Sequence, residues 1–124
     1  MVRVVLVEDN RSFRDVLELL LGLEAEMEVV GSYESGADAL AGCREHGADV
    51  VLIDYRMPGM NGAQTTSALR DVCPGAAVVC LTASISQSEA DVVLNAGAVS
   101  FLTKDAGLEQ IIQAIHAAAP IRNE

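Results

Sequence analysis

The stretch Val50-Val51-Leu52-Ile53-Asp54-Tyr55-Arg56-Met57-Pro58-Gly59-Met60-Asn61-Gly62 constrains this chain more than any other. Four apolar, mostly β-branched residues run straight into a carboxylate, and a turn rich in Pro and Gly follows. That pattern reads as a buried strand that delivers one acid to its C-terminal tip. In open α/β sheets ligands sit at that edge, so position alone places Asp54 for chemistry.

The rest of the chain repeats the theme. Residues 3–7, 27–31, 77–81 and 99–102 are further short runs rich in β-branched residues. Between them the apolar period changes to about 3.6. Leu108, Ile111, Ile112 and Ile115 fall on one helical face, as do Ala90, Val93 and Leu94, and Phe13, Val16, Leu17, Leu20 and Leu21. Ser86 with Glu89 forms a capping box, and Ser35 with Asp38 a looser one. Gly47 and Gly97 are placed to end helices, and Pro74-Gly75 stops the third. Five strands alternating with five helices imply a parallel sheet covered on both faces. At 124 residues this is one domain. Aromatics make up only 3%, so aliphatic and Ala side chains must fill the core.

Glu8 and Asp9 end the first strand as Asp54 ends the third. With the strand order 2-1-3-4-5 these two strands are neighbours, and three carboxylates crowd one cleft. At ~4–6 Å and an effective dielectric near 20, each pair repels by roughly 3–4 kcal/mol. Any one of these acids alone reads equally well as an exposed loop residue. Three at matching strand ends point to a cation, and all-oxygen ligands suit Mg²⁺. Thr82 and Lys104 end the fourth and fifth strands. A hydroxyl at Thr82 reaches the same cleft, although Thr is also ordinary at a strand end. Lys104 is the only lysine in the chain, and a compact cation at an acidic edge suits a phosphoryl oxygen.

Bulk properties exclude other classes. The formal charge is −10, with eight basic against eighteen acidic residues, which argues against nucleic acid as a direct ligand. Cys43, Cys73 and Cys80 lack metal-ligand spacing, and Cys73 and Cys80 read as core thiols. A reduced, cytoplasmic setting is expected. No apolar stretch reaches membrane-spanning length, and no signal peptide is expected before the first strand. No G-x-G-x-x-G follows that strand, so a dinucleotide-binding domain is disfavoured.

Taken together, these residues resemble the receiver domain of two-component response regulators over residues 1–119. The resemblance is carried by Glu8-Asp9, by Asp54 with Met57-Pro58-Gly59-Met60-Asn61-Gly62, by Thr82-Ala83, and by Ala96-Gly97-Ala98-Val99-Ser100-Phe101-Leu102-Thr103-Lys104. The intervals of 45, 28 and 22 residues along Asp9, Asp54, Thr82 and Lys104 make it specific. It implies a flavodoxin-like, doubly wound (βα)5 fold with strand order 2-1-3-4-5. It also implies Asp54 as phosphoacceptor from a sensor histidine kinase or a histidine phosphotransfer protein. Mg²⁺ is then held by Asp9, Asp54 and the Arg56 backbone carbonyl, with Glu8 acting mostly through a metal-bound water. Lys104 and Thr82 hold phosphoryl oxygens, and Thr82 with Phe101 forms the switch. Phe101 also reads as a plain core aromatic. The altered face comprises the fourth helix, fifth strand and fifth helix, a surface for homodimerisation on phosphorylation.

Arg56 and Ser84, each two residues past a site residue, are candidates for tuning the acyl phosphate's lifetime. Asp105 follows Lys104 where the family often has Pro, and is expected to cap the last helix. Residues 120–124 are expected to begin a linker. Receivers of this kind often precede a helix-turn-helix domain, so DNA is expected as a partner only through an output domain outside this chain. Such a domain is not a conventional enzyme but promotes its own phosphorylation and dephosphorylation. The alternative is a receiver-like interaction module that never takes phosphate. An aspartyl-nucleophile phosphatase needs a second acid two residues past the nucleophile, where Arg56 stands.

Overall fold

A computed structural model describes residues 1–120. The remainder of the expected linker, 121–124, lies outside the described residues. Five strands and five helices alternate along the chain: β1 (Val2–Val7), α1 (Arg11–Gly22), β2 (Met27–Tyr33), α2 (Gly36–His46), β3 (Val50–Ile53), α3 (Gly62–Val72), β4 (Ala77–Thr82), α4 (Gln87–Ala96), β5 (Ser100–Thr103) and α5 (Leu108–Ala118). The strands pair in parallel in the order β2-β1-β3-β4-β5, the doubly wound flavodoxin-like arrangement.

Side-chain alternation sorts the central strands into two cores. Val5, Val7, Val51, Ile53, Val78 and Cys80 face one way, onto Ala39 and Cys43 of α2, Ala63 and Leu69 of α3 and Val93 of α4. Val4, Leu6, Val50, Leu52, Val79 and Leu81 face the other, onto Leu17 and Leu21 of α1 and Ile111 and Ile115 of α5. β3 is buried along its whole length, which is why its sequence shows no polar alternation. Each fully buried Val, Leu or Ile contributes roughly 1.5–3 kcal/mol, so this sheet is a rigid platform for whatever its edge carries.

The helix ends follow their expected chemistry. Ser86 and Glu89 form the reciprocal cap of α4, and the Ser35 side chain accepts the Asp38 N–H at α2. Gly47 ends α2 in the left-handed region at φ +65°, where a side chain would be strained. Asn10 caps α1, and Asn61 with Gln64 caps α3. α5 departs from expectation. Its cap is Gly107, whose N–H donates to Gln110 Oε1, while Asp105 accepts a hydrogen bond from Thr103 Oγ1 instead.

Two apolar positions expected in the core lie at its rim. Val16 is 56% exposed and Leu94 39%. In each helix the stripe that reaches the sheet is narrower than the apolar face of its sequence. Among the described residues, no helix is long and apolar enough to cross a membrane.

Candidate functional site

Parallel pairing puts all strand C-termini on one edge. Val7 is level with Ile53, Ile53 with Cys80, and Thr82 with Thr103. The residues that follow therefore converge. Glu8 donates its N–H to Tyr33 O, Asp54 its N–H to Val7 O, and Lys104 its N–H to Thr82 O. Each is held by the last rung of a ladder, so backbone geometry fixes where its side chain starts.

One carboxylate oxygen from each of Glu8, Asp9 and Asp54 lies within 4.8 Å of the others. Glu8 and Asp54 are buried, whereas Asp9 is exposed at the mouth. The donor set is three hard oxygens with no thiolate or imidazole, and it fits Mg²⁺ or a similar cation. Lys104 completes the cluster: Nζ donates to Asp54 Oδ2 at 3.1 Å and ion-pairs with Glu8 Oε1. The same Nζ sits 4.6 Å from the centroid of the Phe13 ring, a cation–π contact that steadies the ammonium. Backbone amides also serve the acids. Asn10 N–H donates to Glu8 Oε2 at 3.2 Å, and Arg56 N–H to Asp54 Oδ1 at 3.3 Å.

Burial pushes the Glu8 carboxyl up to about 7. Lys104 opposes that shift and Asp54 adds to it. For Lys104 burial works against the charged form, but hydrogen bonds to Glu8 and then Asp54 outweigh it and raise its pKa. Burial, and then the nearby Asp54 charge, push the Cys80 thiol up to about 12, so it stays a protonated core group. Cys43 is likewise buried, whereas Cys73 lies at the end of α3 and is only half-buried, less a core thiol than expected.

Thr82 is fully buried at the end of β4, one strand over from Asp54. Its hydroxyl has a long bond, 3.4 Å, to the Ser84 carbonyl. Ser84 is exposed. Phe101 is half-buried against the core on the α2, α3 and α4 side. The Arg56 guanidinium points away from the acids: its Nη2 donates to Glu89 Oε1 of α4 at 2.8 Å.

Three contributors escape the sequence reading. Phe13 registers only as a core-facing residue, and its spacing says nothing of Lys104. Asn10 carries the ordinary signal of a helix cap after Glu8-Asp9. Glu89 is recognisable as a cap, but no local pattern links it to Arg56.

A doubly wound α/β domain with an acidic cleft and one lysine at the C-terminal sheet edge is the class that fold and cleft define. The family model for the response regulator receiver domain matches residues 4–116. The chain is 38% identical over 114 residues to "Probable transcriptional regulatory protein NarL" of Mycobacterium tuberculosis, covering 92% of this chain and 53% of that protein. It is 35% identical over 119 residues to the transcriptional regulatory protein UhpA of Escherichia coli K12, covering 96% of this chain and 59% of that protein. The signal receiver domain of Mycobacterium tuberculosis NarL superposes with a TM-score of 0.89 at 37% identity, over 94% of this chain and 95% of that one. The chain therefore belongs to the response regulator receiver domain family. It spans a little over half the length of these curated relatives.

Proposed function

We propose that this chain is a phosphoryl-accepting switch that takes phosphate from a sensor histidine kinase, or a histidine phosphotransfer protein, onto Asp54. The observation that carries the proposal is the convergence of Glu8, Asp9 and Asp54 around the Lys104 ammonium, which bonds Asp54 Oδ2 at 3.1 Å. An Asp54 oxygen attacks phosphorus, an O–P bond forms, and the N–P bond of the phosphohistidine breaks. The electron pair leaves on the imidazole nitrogen, which takes up a proton. Bound Mg²⁺ supplies positive charge to the phosphoryl oxygens. Glu8, Asp9, Asp54 and the Arg56 backbone carbonyl would hold it, Glu8 mostly through a water.

The chain's own residues do the positioning. Lys104 leaves its carboxylate partner for a phosphoryl oxygen, as an ammonium with three rotatable donors can. The Thr82 hydroxyl, weakly held at rest, turns toward a second oxygen. This is phosphoryl transfer by placement and electrostatics, in which the domain promotes its own modification. The acyl phosphate adds about one negative charge and three acceptor oxygens to the cleft. As Thr82 moves, Phe101 turns into the space behind it. The face of α4, β5 and α5 changes, and the exposed Val92, Leu94 and Val99 offer it apolar surface for a homodimer. Arg56 and Ser84 tune the lifetime of the acyl phosphate.

Transcription is the proposed output, as the names of the relatives suggest, exerted through a DNA-binding domain beyond the receiver, in the cytoplasm. Residues 1–119 form the receiver, and 120–124 begin the linker.

The test is incubation with Mg²⁺ and acetyl phosphate, followed by intact mass. One added phosphoryl group in the wild type, and none in Asp54→Asn or after chelation, is expected. Equal labelling of wild type and Asp54→Asn overturns the proposal, and no labelling of either favours a phosphate-independent interaction module.

A further inference from the structure

Arg56 is the second residue past Asp54, and its two ends face different anions. Its N–H lies 3.3 Å from Asp54 Oδ1, so its backbone is registered on the acidic cluster. Its guanidinium turns away, over the Tyr55 ring at 5.7 Å, and donates to Glu89 Oε1 at 2.8 Å. That same oxygen accepts the Ser86 N–H at 3.0 Å, while Ser86 Oγ accepts the Glu89 N–H at 3.1 Å. A single carboxylate oxygen thus joins the loop after β3 to the first turn of α4, across 33 residues of sequence.

Electrostatics explains why Arg56 rests there. Lys104 already ion-pairs Asp54 and Glu8 directly, and Glu89 Oε1 meets the Arg56 guanidinium at 2.8 Å from outside the cluster. Glu89 pairs with no other cation among the described residues' salt bridges. An acyl phosphate at Asp54 alters that balance. It brings added negative charge and three acceptor oxygens, and a guanidinium's planar fork matches phosphoryl oxygens two at a time.

We propose that Glu89 is a positioning residue for phosphoryl transfer: it holds the Arg56 guanidinium away from Asp54 at rest and competes for it with the bound phosphoryl group. Occupancy at Asp54 then releases α4 from the loop after β3, a link from the cleft to the helix at the head of the switching face. This inference rests on Asp54 as the phosphoacceptor.

Glu89→Gln separates the latch from the cap, because Gln also serves as the reciprocal capping acceptor but carries no charge. The 124-residue chain with Mg²⁺ is titrated with beryllofluoride, a phosphoryl mimic. Binding is followed by NMR at the Arg56 Nε–H and the Ser86 amide. Glu89→Gln is expected to bind ~2–5-fold more tightly than wild type, the scale of losing an exposed ion-pair competitor. In an Arg56→Met background the same substitution is expected to bring no gain. The Arg56 Nε–H of resting Glu89→Gln should already lie nearer its beryllofluoride-bound position, with the Ser86 amide unmoved. A purely capping role for Glu89 would move Ser86 and leave Arg56 alone.

Equal affinity of wild type and Glu89→Gln, or an equal gain in the Arg56→Met background, overturns the latch and leaves Asp54 as acceptor. Failure of wild type to bind beryllofluoride, or binding by Asp54→Asn at wild-type strength, overturns both readings.

Discussion

Replacing Lys104 by Met removes the ammonium shared by Glu8 and Asp54 while keeping an apolar stem beside Phe13. At the observed 3.1 Å from Asp54 Oδ2, with an effective dielectric near 20, the attraction lost is about 5 kcal/mol before any offset. Part returns because the ammonium no longer has to be desolvated. Breaking a pair this buried, with Glu8 and Asp54 side chains 5% and 7% exposed, is expected to cost about 3 kcal/mol at pH 8. That corresponds to a fall of about 10 °C in Tm.

The cost must depend on pH, with a definite sign. The Glu8 carboxyl ionises near pH 7 in the folded chain against 4.5 as an unperturbed group. Stability from its protonated form is complete below pH 4.5 and is lost as pH rises through 7. Without Lys104 the carboxyl keeps its proton to higher pH. The variant then goes on losing stability, by up to about 1.4 kcal/mol per pH unit, where the wild type has levelled off. The deficit of Lys104→Met should therefore grow by about 1 kcal/mol between pH 7 and 8, and be roughly half as large at pH 6. Urea denaturation followed by circular dichroism, with a chelator present, measures it. Saturating Mg²⁺ should narrow the gap at pH 8. A deficit that is absent, or the same at pH 6 and pH 8, would refute the assignment of Lys104 as the counter-ion of a buried, proton-holding Glu8.

Two further tests probe the frame around the cleft. A Cβ at Gly62 would lie 2.7 Å from the Asp54 carbonyl oxygen and 2.7 Å from Tyr55 Cα. Both are backbone atoms, so Gly62→Ala should cost about 1–3 kcal/mol in denaturant melts and weaken beryllofluoride binding several-fold; unchanged stability and binding would show that the loop after Asp54 yields freely. Burial pushes the Cys43 and Cys80 thiols up to about 12, while Cys73 is half-buried. A thiol reagent at pH 8 should thus modify Cys73 first in the native chain, as mass spectrometry of timed digests will show, and early labelling of Cys80 would contradict its place in the core.

Much of the architecture was legible from residue patterns. The run at 50–53 reappears as β3 without a shift, and Gly47, Gly97 and Ser86 end or begin helices as their chemistry requires. β5 begins one residue later than its β-branched signal suggests, because Val99 is 56% exposed and precedes the strand proper. Val16 and Leu94 show the other limit. An apolar residue on the rim of a helical stripe has the same spacing as one at its centre, and only the neighbouring element decides which is covered. Asp105 does not cap α5: its carboxylate accepts from Thr103 Oγ1, and the cap falls two residues later at Gly107.

The linear order of residues by itself determined that Glu8, Asp9, Asp54, Thr82 and Lys104 stand at strand ends, and hence on one edge of a parallel sheet. Hydrophobic period and turn chemistry are local properties, and they dictate where each strand stops. Only the tertiary structure decided which partner each side chain took: Lys104 between Glu8 and Asp54 over the Phe13 ring, and Arg56 on Glu89 rather than on the acids beside it. Those choices are settled by competition among charges brought together from distant parts of the chain, with burial strengthening the Lys104 pairings and the Arg56–Glu89 pair left exposed to solvent.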